Sequence, residues 1–148
     1  MEVQDKHCHE DFLGYRIFRT QYVVTQLLAK EFASYGVTPI QWNALVFLDR
    51  FGSLSQRQLA THLHREPATI TRAVDKLESM GLVAREPDAS DRRVNVITPT
   101  DKARGLLAEI QPAAERAALV VQSDLSDEEA KQLMALLDRV YEGCLSAE

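Results

Sequence analysis

The sequence contains no apolar run near the ~18 residues that a membrane span requires. Its first residues, MEVQDKHCHEDF, also lack the charged-then-apolar grammar of a secretory leader. Both absences predict a soluble, cytoplasmic protein without membrane contact. Cysteine is scarce, and Cys8 and Cys144 stand near opposite ends of the chain, so no disulfide framework is suggested. With six glycines and five prolines in 148 residues, collagen-like and low-complexity classes are excluded. Catalytic signatures are missing too: there is no Gly-rich phosphate loop, no HExxH, no GxSxG and no acid pair in a plausible cleft. The expectation is a protein that is not an enzyme and needs no cofactor.

What the chain has is an ordinary globular composition, 45% hydrophobic and 26% charged, over a length that suits one domain with a real core. It also lacks a basic excess, with a formal net charge of −5. The distribution is uneven. Between Arg50 and Arg104 ten Lys/Arg face seven Asp/Glu, a balance of +3, while the remainder carries −8. A mildly basic centre between acidic ends marks where an anionic partner would be met.

Helical punctuation dominates. From Phe12 to Tyr35 one apolar stripe holds Leu13, Ile17, Val24, Leu28, Phe32 and Tyr35, and an adjacent one holds Phe12, Tyr15, Phe18 and Tyr22. So wide an apolar surface predicts a helix that meets both its own core and a partner. Gly36 ends it. Thr38, Pro39 and Gln41 then read as N-cap, first helical residue and reciprocal cap of a second helix that stops at Gly52. Ser55 and Gln58 repeat the capping box for a third helix with Leu59 and Leu63 inward. Pro67 opens a fourth, with Ile70, Val74 and Leu77 inward and Gly81 at its end.

Two short strands follow, Leu82–Arg85 and Val94–Ile97, around the polar, turn-rich segment from Glu86 to Arg93. They predict a projecting hairpin. Thr100 and Asp101 start another long helical segment, in which Pro112 is expected to cause a bend or break. Ser126 and Glu129 cap the last helix, whose apolar side holds Leu133, Leu136, Leu137, Val140 and Cys144.

Helix, tight turn, helix and hairpin is the element order of a winged helix-turn-helix, in which the second helix enters the DNA major groove. On a helical wheel the outward side of the Pro67 helix carries Ala68, Thr69, Arg72, Asp75 and Lys76, with Thr71 on the flank. Pro67 and Ala68 are small enough for close backbone approach. Thr69, Thr71 and Arg72 suit base edges, and Lys76 suits phosphate. At the hairpin tip, Arg93 suits the narrow minor groove, Asp91 can orient it, and Arg92 can hold phosphate. The alternative for this helix is an ordinary solvated face.

The run from Thr69 to Val83, together with Asp91-Arg92-Arg93 and Thr100-Asp101-Lys102-Ala103, resembles the MarR family of winged-helix transcription regulators, and especially its SlyA-like branch. The resemblance spans essentially the whole chain. Two positions depart from the pattern: Pro99, expected to shorten the second wing strand, and Glu66, a poor N-cap that brings negative charge near phosphates beside Arg65 and His64. The resemblance implies a mainly α fold with a small β-hairpin wing (α+β). A winged lobe at residues 38–98 would lie between dimerisation helices at 10–35 and 100–146, all in one domain spanning 1–148. It implies a homodimeric repressor on a palindromic double-stranded operator. Release would come from a small aromatic or phenolic ligand, with Tyr22, Thr38 and Trp42 lining a cleft and Arg16 or Arg19 meeting a carboxylate.

Tyr22 and Trp42 could equally be plain core residues. Two rival functions are a redox-responsive regulator sensing through Cys8 and a winged-helix module that binds only protein. His62 and His64, two residues apart, point in different directions along a helix and predict no shared metal.

Overall fold

Short-range side-chain chemistry sets most of the helix boundaries. In the computed structural model, which describes residues 11–147, Thr38 and Gln41 cap each other as the sequence predicts. The Gln41 amide donates to Thr38 Oγ1 at 3.4 Å, and Gln41 Oε1 accepts from the Thr38 amide at 3.0 Å. Ser55 with Gln58 and Ser126 with Glu129 form the same box. The resulting helices are α1 (Leu13–Phe32, extended by a 3₁₀ turn at Ala33–Tyr35), α2 (Pro39–Phe51), α3 (Gln56–Leu63), α4 (Pro67–Ser79), α5 (Asp101–Gln122) and α6 (Asp127–Leu145). Gly36 and Gly81 take left-handed backbone at φ +71° and +72° behind the helices they end, a conformation in which a Cβ would be strained.

The strands are β1 (Leu54–Ser55), β2 (Val83–Pro87) and β3 (Asn95–Pro99), antiparallel in the order β1-β3-β2. The hairpin expected from the sequence is therefore two sides of a three-stranded sheet. Its third strand is only two residues long and pairs Leu54 with Ile97 and Ser55 with Val96. The expected strand boundaries shift by one or two residues toward the C-terminus.

Two proline expectations are corrected. Pro99 does not shorten its strand; β3 includes it, opposite Val83. The Thr100 amide bonds Leu82 O on the β2 side, so the alternation of a strand turns position 99 the other way, past the end of β1, where a missing N–H breaks no ladder bond. Of the bend or break expected at Pro112, the break does not occur, and α5 runs continuously through it. A mid-helix proline costs about 3 kcal/mol; Ile110 and Ala113, both fully buried on either side of it, offset that loss by packing.

The chain divides into two compact units, the first ending at Ala114 and the second beginning at Glu115. The first unit holds one core, in which Phe32, Leu45, Leu48, Leu59, Ile70, Val74, Leu77, Leu82, Ile97 and Ile110 are sealed from solvent. At the corner leading to α5, Thr100 Oγ1 donates to Gly81 O at 2.8 Å and Lys102 Nζ to Met80 O at 2.6 Å, so a cation satisfies the carbonyl end of α4. Within the same unit α1 buries Phe32 but leaves Phe12, Leu13, Phe18, Tyr22 and Val23 exposed. In the second unit only Ala117 and Ala130 are buried among the apolar residues. Leu119, Val120, Val121, Leu133, Met134, Leu136, Leu137 and Tyr141 face outward. Among the described residues, no helix is long and apolar enough to cross a membrane.

Candidate nucleic-acid interface

The interface is built from the turn of the helix pair upward. His64 ends α3 in left-handed backbone at φ +50° and redirects the chain into Arg65 and Glu66. Glu66 occupies the N-cap of α4 with no side-chain cap bond, as its poor capping chemistry predicts. Around this turn lies an open hollow of about 450 Å³, rimmed by Arg57, Thr61, His64, Arg65 and Glu66.

Helix α4 presents the predicted residues on its outer side. Pro67 and Ala68 are exposed, Thr69 is half-buried, and Arg72 and Lys76 project into solvent, while Ile70, Ala73, Val74 and Leu77 fill the opposite side. Thr71 is half-buried and its hydroxyl is engaged: it donates to Pro67 O at 2.9 Å and accepts from Gln56 Nε2. Its oxygen therefore ties α4 to the start of α3.

The wing tip is ordered by two aspartates. Asp88 accepts from the Ser90 hydroxyl at 2.5 Å, the Ser90 amide at 2.7 Å and the Asp91 amide at 3.2 Å, an Asx-type turn. These bonds, the Ser90 hydroxyl first, hold its pKa below the ordinary carboxylate value. Asp91 accepts from Arg93 three times: from Nε at 3.1 Å, from Nη2 at 3.3 Å and from the amide at 3.0 Å. The guanidinium bonds, and then the amide bond, lower the Asp91 pKa as well. A depressed carboxylate pKa means the contact is fully present above the ordinary carboxylate range and is lost only as pH falls through the lowered value. Arg93 is thus aimed at neutral pH while its side chain stays 90% exposed. Arg92 beside it is exposed too.

One residue of this region is missing from the sequence-based candidates. Arg85, inside β2, donates through Nη2 to Asp75 and through Nη1 to Glu78 of α4, each at 2.5 Å. Burial alone would lower its pKa, but the two hydrogen bonds and the two charges outweigh that and raise it. An isolated arginine between the apolar Val83 and the turn could have been flagged. Its partners, seven and ten residues earlier, could not.

The proposed effector residues come from two elements, α1 and the start of α2. Arg16, Arg19 and Tyr22 are exposed on α1. Trp42 is half-buried against Phe32, with ring centroids 5.1 Å apart, which is the core alternative. Thr38 lines a hollow of about 190 Å³ with Thr25, Leu28, Ile40, Asn43 and Arg65. A larger cleft of about 470 Å³ lies elsewhere, between Tyr35, Met80, Leu82, Leu106, Lys102 and Glu109. Cys8 lies outside the described residues. His62 stacks on Phe51 with centroids 5.0 Å apart, away from the turn that holds His64. Among the described residues, no group of three or more His, Cys, Asp or Glu could hold a metal ion.

Comparison with known proteins agrees with this architecture. Residues 35–94, from the end of the first helical segment to the wing tip, match the MarR family. Three solved structures share the fold over nearly the whole chain. A probable transcriptional regulator from Pseudomonas aeruginosa is 29% identical, with a TM-score of 0.83 over 90% of this chain and 99% of that one. BpsR of Bordetella bronchiseptica, whose DNA binding is regulated by 6-hydroxynicotinic acid, is 21% identical, with a TM-score of 0.85 over 91% and 96%. A mutant MarR from E. coli complexed with operator DNA is 22% identical, with a TM-score of 0.83 over 89% and 96%.

Proposed function

We propose that this chain, a MarR-type winged-helix protein in its matched segment and its fold, is a homodimeric, sequence-specific DNA-binding transcription regulator acting as a repressor. The observation that carries the reading is the pairing of an exposed Arg72/Lys76 row on α4 with an exposed Arg93 that Asp91 already holds in place. Thr69 and Arg72, behind the small Pro67 and Ala68, read the major groove, and Thr71, its hydroxyl engaged by Pro67 and Gln56, offers its methyl group there. Arg93 enters the minor groove, and Lys76 and Arg92 hold phosphates. Within the family, the Thr69–Val83 run and Asp91-Arg92-Arg93 favour the SlyA-like branch.

The homodimer is supported by the exposed apolar residues of α1 and of α6, which exceed what a monomer in water usually leaves open. Release by a small aromatic or phenolic acid belongs to the same reading and is supported by the response of BpsR to 6-hydroxynicotinic acid. Arg16, Arg19 and Tyr22 lie on the helix that would meet the partner, so their part in an effector site depends on the dimer. Thr38 and Trp42 would be reached from the lobe side. A protein-only winged module is disfavoured, because the outer side of α4 is neither apolar nor acidic in balance.

The test is binding of fluorescent duplexes from the protein's own upstream region, measured by anisotropy across a salt series. Arg93→Ala should weaken binding by about 1–3 kcal/mol while the circular-dichroism spectrum and sedimentation stay unchanged. Unchanged affinity at every salt concentration would reject the wing assignment.

A further inference from the structure

Asp75 and Glu78 are acids on the helix proposed to read DNA. On the wheel Asp75 stands 60° from Arg72, and Glu78 another 60° beyond. Left open, both carboxylates would stand among the groups offered to a polyanion. Both are instead gripped by one guanidinium, that of Arg85, at 2.5 Å each. Arg85 shares a side of β2 with the buried Val83, so the pleat directs it toward α4 and away from solvent, and its side chain is only 21% exposed. Three residues later the same strand passes into Asp88, the first anchor of the wing tip. The forked contact therefore joins the reading helix to the strand that leads into the wing tip bearing Arg93.

Building on the DNA-binding reading, we propose that Arg85 is a positioning residue for recognition: its grip on Asp75 and Glu78 fixes the spacing between the groove-facing side of α4 and Arg93 of the wing. A planar fork with two partners on one helix defines an orientation, which a single ammonium cannot do. The acids are kept for their geometry, although their charge opposes DNA.

That last point separates positioning from bulk charge. The experiment compares wild type with the double variant Asp75→Asn/Glu78→Gln, using a duplex that wild type selects from a random pool and a scrambled duplex of the same composition. Removing two negative charges strengthens binding to any DNA if charge alone matters. Positioning predicts tighter binding to the scrambled duplex but a loss of about tenfold or more in the selected-to-scrambled ratio. Arg85→Gln should lose the same ratio, and Arg85→Lys should not restore it. In either background Arg93→Ala should have less effect than in wild type, because the wing is no longer held in register. An unchanged ratio, or a full Arg93→Ala effect in the double variant, would overturn the inference even if the melting temperature fell. If wild type enriches no duplex at all, the DNA-binding reading fails, and the positioning role fails with it.

Discussion

The winged lobe and the C-terminal unit solve the hydrophobic problem in opposite ways. In the lobe every large aliphatic residue predicted to point inward is buried or half-buried, and Arg72, Lys76, Arg92 and Arg93 stand on its outer surface. From Glu115 onward the pattern inverts: Leu119 is 72% exposed, and the α6 stripe from Leu133 to Leu137 stays open. The two regions have similar helix chemistry, including the same Ser/Thr–Glu/Gln capping boxes. What differs is whether the apolar side of a helix finds its cover within the same chain. The lobe's inward rows are covered within the chain, with Phe32 of α1 and Ile110 of α5 completing the core, whereas the apolar residues of α6 stay open to solvent.

The contrast can be broken first in the lobe. Leu77→Ala removes a fully buried side chain between α4 and the core and should cost about 2–5 kcal/mol in urea unfolding. A loss below 1 kcal/mol would mean that the lobe is less self-sufficient than its burial implies. The reverse operation acts on exposed residues. Phe18→Asp with Leu136→Asp alters two side chains that touch solvent in the single chain. It should shift the sedimenting species from dimer toward monomer at micromolar concentration by about a hundredfold in association constant or more, leaving the lobe's unfolding midpoint nearly in place. A wild-type monomer at micromolar concentration would undo the comparison altogether. The smallest contrast is in the caps. Thr38→Ala should cost the lobe about 1 kcal/mol, whereas Ser126→Ala should loosen only the start of α6. Circular dichroism during thermal unfolding separates the two, and equal shifts in the lobe's midpoint would argue against independent regions.

How much of this was legible in the sequence follows the range of the interactions. All three capping boxes, the glycine stops and the inward rows of α3 and α4 were readable, because each is decided within a few residues. So was the Asp91–Arg93 contact, two positions apart. β1 was not, because Leu54 and Ser55 become a strand only through pairing with β3 some forty residues later. Arg85 was missed for the same reason: nothing in β2 names its partners on α4. The prolines were misjudged in the other direction. At Pro99 and Pro112 a local rule was overruled by a sheet edge and by buried neighbours.

The two-residue strand β1 has a consequence for how such a protein can diversify. Ser55 is at once the residue paired with Val96 and the N-cap of α3, so the root of the hairpin is stitched to the helix pair. The tip beyond it, residues 88–94, is secured by bonds within itself, those to its two aspartates and the backbone bonds between Asp88, Asp91 and Val94. Insertions and deletions there need not propagate into the lobe. The reach of the arginine tip along DNA can therefore be retuned as a separate module, without redrawing the helix that reads the bases.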